Sequence, residues 1–247
     1  MLFKYWVVCL LLFMLFIQAR ASSFMPAVTN YLAKDYEAGY QNWACAQGSN
    51  GEMYFGNSQG LLVYDGYRWT LHKVPGNHIV RSVYVKEDRI YVGAFEEFGY
   101  FKYSEAGTLR YHSLSKFLKN FPMENNEIWN IVELDGRIYF QSFSAWFSYD
   151  GKMVHAFRNR QQQPLYFYTQ NGHIYTQMID EDFYEFDGKD FLHLFPRSQV
   201  NDDNVVALLP DGDDSFLMVT ENNGLFRYNG DITPWKTDID ADRKSVV

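Results

Sequence analysis

Residues 50–69 read NGEMYFGNSQGLLVYDGYRW. Asn50-Gly51 and Asp65-Gly66 are tight-turn dipeptides, because Gly accepts positive φ at no steric cost and Asn or Asp can bond its own turn. Between them lie two strand-like runs, EMYFG and GLLVY, joined at the short polar stretch NSQ. QNWACAQ before the first turn and YRWTLH after the second read as two more strands. The unit is therefore four short strands linked by turns.

The unit recurs. It returns in the stretches starting at Arg81, Ile128, Leu165 and Asn204. Aligned on the second strand, Tyr54, Tyr91, Tyr139, Tyr175 and Leu217 are spaced by 37, 48, 36 and 42 residues. The turn after the third strand is Asp65-Gly66, Asp150-Gly151, Asp187-Gly188 and Asn229-Gly230, and only the second unit departs, with SEAGT. The one long step absorbs an insertion at SKFLKNFPMENNE, which is expected to form a short helical turn. A period near 40 built from four strands is the signature of a β-propeller blade. A lone four-stranded sheet cannot bury both faces, and radial stacking does so against its neighbours. The expected fold is all-β, a propeller of four-stranded antiparallel blades with about five blades visible over residues 40–237, part of a larger propeller. A β-sandwich with accidental spacing is the alternative.

Composition agrees. Aromatics make up 19% of the 247 residues, which suits strands with a sizeable core. Residues 1–21 combine Lys4, an apolar run from Tyr5 to Ile17 and Ala19-Arg20-Ala21, the small-x-small pattern of a cleavage site. The run is shorter than the roughly 20 residues needed to span a bilayer. It reads as a secretory signal peptide, with an uncleaved anchor as the rival. Its removal takes formal charge from −8 to −10, since Lys4 and Arg20 leave and no acid does. Such an acidic chain argues against nucleic-acid binding. Cys9 departs with the leader, so Cys45 stands alone and reads as a small buried apolar residue. Residues 22–39 are a lead-in that offers a closing strand. Residues 238–247, which include Asp238, Asp240 and Asp242, read as a tail or the start of a further blade, and the chain as the N-terminal part of a longer protein.

No catalytic constellation emerges. G-x-S-x-G and H-E-x-x-H are missing, and the histidines do not gather at ligand spacing. His72, His112, His155 and His193 instead fall in the fourth strand of successive units. Glu96-Glu97, Asp180-Glu181-Asp182, Asp202-Asp203 and Asp213-Asp214 read as solvated loops. No metal or cofactor is expected. In a propeller the loops between second and third strands share a face with the entries to the first strands, near the axis. Those loops carry Asn57, Gln59, Glu96, Glu97, Ser142, Ser144, Asp180, Asp182, Glu221 and Asn222, with Trp43 and Trp129 on first strands beside them. Polar groups converging beside aromatic platforms suit an oligosaccharide or another small polar ligand.

NYLAKDYEAGYQNWACAQGSNGEMYFGNSQGLLVYDGYRW and GAFEEFGYF resemble the exported sensor region of Bacteroidetes regulators, the two-component regulator propeller proteins with a triple-tyrosine domain. The resemblance covers roughly Asn30 to Trp235. It implies a periplasmic sensor that continues into more blades, a transmembrane helix and a cytoplasmic output, and that responds to glycan breakdown products. None of those later parts lies in this sequence. Two rival readings stay open: a propeller glycosidase or lyase using Glu96, Glu97, Asp180 or Asp182, and a protein-interaction scaffold, including a homodimer formed through the propeller.

Overall fold

The computed structural model describes residues 27–119, 121–123, 125–158, 162–212 and 215–237. The leader, residues 22–26 of the lead-in, Asp213-Asp214 and the 238–247 tail lie outside them.

Five four-stranded antiparallel sheets follow one another in chain order, each with its strands in sequence from inner to outer. Blade I is β1 (Asn42–Gln47), β2 (Met53–Asn57), β3 (Gly60–Tyr64) and β4 (Trp69–His72). Blade II is β5 (Val80–Lys86), β6 (Arg89–Ala94), β7 (Phe98–Tyr103) and β8 (Leu109–Ser113). Blade III is β9 (Asn130–Leu134), β10 (Arg137–Gln141), β11 (Trp146–Tyr149) and β12 (Val154–Phe157). Blade IV is β13 (Pro164–Gln170), β14 (His173–Met178), β15 (Phe183–Phe186) and β16 (Phe191–Phe195). Blade V is β17 (Val205–Pro210), β18 (Phe216–Thr220), β19 (Leu225–Tyr228) and β20 (Ile232–Trp235). The insertion carries a 3₁₀ turn at Ser115–Phe117.

The turn dipeptides act as the sequence requires. Gly66, Gly151, Gly188 and Gly230 have φ of 94°, 91°, 94° and 93°. Ahead of the first three, the Oδ1 of Asp65, Asp150 and Asp187 each accepts two backbone N–H groups of its own turn. Those N–H groups hold all three carboxyls below the usual aspartate value.

Burial explains why the blades stack. Alternate residues of a strand point to opposite faces, so Ile131 of β9 joins a core with blade II while Val132 joins one with blade IV. Among the described residues four such clusters join successive blades, and none of them joins blade V to blade I. Blade I's other face carries Phe55, Leu62, Tyr64 and Trp69. The lead-in covers it with a short helix, α1 (Ala33–Tyr36), rather than a strand, placing the buried Tyr36 ring 5.5 Å from Trp69. Ala-Lys-Asp-Tyr favours a helical turn over a β-run, since Ala and Lys are good helix formers. Cys45 pairs with Phe55, opposite the blade II side, and is exposed, which corrects the expectation of a buried thiol.

Buried amides tie neighbouring blades together. Gln177, 1% exposed at the end of β14, donates to Asp203 O at 3.0 Å and accepts from Val205 N at 2.8 Å, spanning blades IV and V. Gln141 is its counterpart in β10 and donates to Pro164 O and Leu165 O, each at 3.1 Å. Its Oε1 has no donor, because Pro164, which begins the next blade as Val205 begins blade V, has no N–H. Gln177→Leu keeps the volume but strands the Val205 N–H and the Asp203 carbonyl. We expect it to lower unfolding free energy by about 2 kcal/mol in urea titrations.

Candidate functional site

The innermost strands are not regular. The ladder between first and second strands slips at the entry of four blades: between Asn42 and Ala44, Val80 and Ser82, Pro164 and Phe167, and Val205 and Ala207. Each slip is a β-bulge, one extra residue on the inner strand, and a bulge re-aims the side chain it carries. The residues inside the slips include Trp43, Arg81, Tyr166 and Val206. In blade III no slip occurs, and Trp129, one residue before β9, takes the same place. All five line one cleft of about 270 Å³, with contributions from every blade.

The side chains of Trp43, Arg81, Trp129 and Tyr166 in it join a stack that is completed by Phe143, which is not one of its lining residues. The Arg81 guanidinium lies 3.8 Å from the Trp43 ring centre and 5.0 Å from that of Trp129. Trp129 stacks on Phe143 with ring centres 5.6 Å apart, and Tyr166 meets Phe143 edge-on at the same 5.6 Å. A cation held against indole faces is stabilised electrostatically by the ring quadrupole. Arg81 Nε donates to Glu127 Oε1 at 2.5 Å, and among the described residues no other acceptor is bonded to it. Arg81 Nη1 is shut away from solvent with no hydrogen-bond partner. Trp43 is fixed by its Nε1–H, donated to Ser58 Oγ at 3.2 Å, and Asn130 by donation to Phe167 O at 2.5 Å.

The loop residues singled out in the sequence do face the entries to the first strands. There, most of them are hydrogen-bonded to those entries or within their own blade. Asn57 bonds Gly39 N and O. Ser142 and Ser144 both donate to the buried Asn126, at 2.8 and 2.7 Å. Asn222 and Asn223 bond Asp203, and Glu221 accepts from Asn204 at 3.1 Å. Glu97 Oε1 accepts from Tyr111, Ser113 and Ser115. Glu96 accepts from Asn125 N at 2.8 Å. Asp182 accepts from Arg197 N at 2.9 Å and sits 3.0 Å from His193 Nε2, while Asp180 is 3.7 Å from Arg197. Gln59 is exposed. Of the residues singled out in the sequence, Trp43 and Trp129 line the axial cleft, and none of the polar loop residues does. Arg81, Tyr166 and Val206 are additions from the structure.

One acidic residue departs from its expected setting. Asp203 is 5% exposed, not a solvated loop residue. Burial alone would raise its carboxyl, but N–H groups of Asn222 and Asn204 and the side-chain amides of Asn222 and Asn223 lower it to about 2. Among the described residues no group of three or more His, Cys, Asp or Glu side chains is gathered as metal ligands would be, and no helix is long and apolar enough to cross a membrane.

No family model matches the sequence, and no curated protein matches it. Solved structures do. The extracellular domain of the hybrid two-component system BT4673 of B. thetaiotaomicron, also described as that of a one-component system, superposes with a TM-score of 0.60 at 18% identity. That match covers 80% of this chain and 27% of the other, so the chain spans about a quarter of that domain's length. A streptogramin B lyase matches with a TM-score of 0.60 at 13% identity over 80% of this chain and 69% of the lyase. YCF48 bound to a D1 peptide matches at 0.57 and 11% identity over 87% and 70%. At these identities the likeness establishes the propeller architecture alone.

Proposed function

We propose that this chain is the propeller portion of an exported, periplasmic ligand-sensing domain of a two-component or related regulator, and that it takes a glycan-derived ligand at the axial cleft. The observation that carries the reading is the cleft itself. Each of the five blades contributes to it, four of them through a bulge residue, and three adjacent blades supply Trp43, Arg81 and Trp129. A site built from all the blades can convert ligand contact into a change of blade packing, which is how binding would bias an equilibrium read elsewhere. The resemblance to exported regulators, the leader-like residues 1–21 and the likeness to an extracellular sensor domain support the location and the role.

The enzymatic alternative has less support. Glu97 is held by three donors, Asp182 is bonded to Arg197 N and meets His193, and Asp180 and Glu96 lie in loops that pair with Arg197 or neighbouring backbone. The test is calorimetric titration of the chain against a panel of oligosaccharides. Trp129→Ala removes the middle of the stack and is expected to weaken the best ligand by about 30-fold or more, given the share that buried aromatic anchors carry in binding. Failure of every sugar to bind, or full affinity in Trp129→Ala, would remove the axial site from consideration.

A further inference from the structure

We infer that the axial cleft selects a sugar bearing a carboxylate, a uronic acid unit, with Arg81 as the residue that recognises the acid. The inference rests on the axial reading above and names the class of ligand for it.

The Arg81 side chain is 14% exposed and its guanidinium carbon lies over two indole rings, 3.8 Å from the centre of Trp43 and 5.0 Å from that of Trp129. A guanidinium has five N–H donors in a rigid fork. Glu127 takes only the Nε edge. Nη1 has no partner but is closed off from solvent, so a ligand would meet the guanidinium at Nη2, which carries no hydrogen bond among the described residues. A carboxylate forms a charge-assisted bond with a guanidinium N–H that a hydroxyl does not match.

The neighbours narrow the class further. Glu127 already compensates the Arg81 charge at 2.5 Å. A dianion such as a phosphate ester would meet Glu127 across the guanidinium with twice the repulsion of a carboxylate, so a monoanion fits best. Trp43, Trp129 and Tyr166 offer apolar faces and edges beside the charge, which suit the C–H face of a pyranose ring. At about 270 Å³ the cleft is at the small end of ligand sites and holds about one such ring.

The experiment pairs each acid with its own neutral twin. Glucuronate- and galacturonate-containing di- to tetrasaccharides, and the same sugars with the carboxyl reduced to CH₂OH, are titrated against the full chain by tryptophan fluorescence. The acid form is expected to bind at least 10-fold tighter than its reduced twin, and Arg81→Met to abolish that preference. Glu127→Gln leaves the guanidinium without its competing carboxylate and is expected to tighten acid binding about 3-fold or more, with little change for the reduced sugars. This variant keeps the test valid if Arg81→Met does not fold, as checked by its thermal melt. Equal affinity for acid and reduced forms, or weaker acid binding in Glu127→Gln, overturns the inference and leaves the axial sensor reading standing. Failure of both forms to bind overturns the two together.

Discussion

Phe98→Ala is expected to be the most destabilising single change in the chain, at about 4 kcal/mol. Phe98 opens β7 in blade II and is fully buried. Its ring lies 4.5 Å from Phe140 and 4.9 Å from Phe147, both in blade III, so it is the bolt between two sheets. Phe→Ala in a core costs about 3–5 kcal/mol, a transfer term plus the cavity left behind. Aromatic pairing adds about 0.5–1.5 kcal/mol. Collapse cannot relieve the cavity, because Phe140 and Phe147 are themselves locked in adjacent hydrogen-bonded strands. At about 2–4 °C per kcal/mol for a domain of this size, the melting temperature should fall by about 10 °C. Phe98→Leu should cost only about 1–2 kcal/mol. If Phe98→Ala melts with the parent, blade II and blade III are not joined as described.

The second large effect is at Asp203. Its carboxylate accepts from the backbone N–H of Asn204, Asn222 and Asn223 and from the side-chain amides of Asn222 and Asn223, at 2.7–3.1 Å. These bonds close the β18–β19 loop onto the entry of β17. Asp203→Ala leaves several donors unpaired at once and is expected to cost about 3 kcal/mol. The pH dependence has a definite sign. A carboxyl lowered from 3.8 to about 2 stabilises the fold fully above pH 4, and the contribution is lost as pH falls from 4 through 2. It amounts to about 2 kcal/mol at most, less whatever solvent screens at the rim. Denaturant titrations at pH 2, 3, 4 and 7 should show a smaller acid loss for Asp203→Asn than for the parent. Identical slopes for the two proteins would contradict the clamp.

These two residues show what sequence patterning reaches and where it stops. The turn dipeptides and the period near 40 place every strand, because an Asp-Gly or Asn-Gly turn and an alternating run each have a local cause. Phe98 falls in the loop AFEEFG, where an aromatic reads as a platform for a ligand, and its full burial against blade III follows only from stacking. Asp203 does not yield to patterning either. Asp202-Asp203 looks like any wet acidic pair until the β18–β19 loop, about 20 residues downstream in the chain, folds its N–H groups onto one member. The polar loop residues have the same ambiguity: Asn57 bonds the Gly39 backbone, Ser142 the Asn126 side chain and Asn222 the Asp203 side chain, which a composition argument cannot tell from being polar to meet a ligand. Arg81 escapes for a different reason. A bulge adds a residue that breaks the two-residue period, so a strictly alternating reading gives the side chain no assigned face. Trp43 and Trp129 are legible only because an aromatic at a strand entry attracts notice on its own.

The bulges also separate two kinds of inheritance. The buried residues in the regular part of the sheets answer to a neighbour: Val80 and Val92 to blade I, Ile131 to blade II, Val132 to blade IV. Trp43, Arg81 and Val206 are surplus to that alternation. Changing one of them alters what the axis meets without forcing a compensating change in any core. The cleft is therefore assembled from bulge and entry residues that touch one another, on a frame that stays constant. A lineage with this arrangement can try new ligands by single substitutions, and a designer can do the same by randomising positions 43, 81, 129, 166 and 206 together while leaving the rest of the chain untouched.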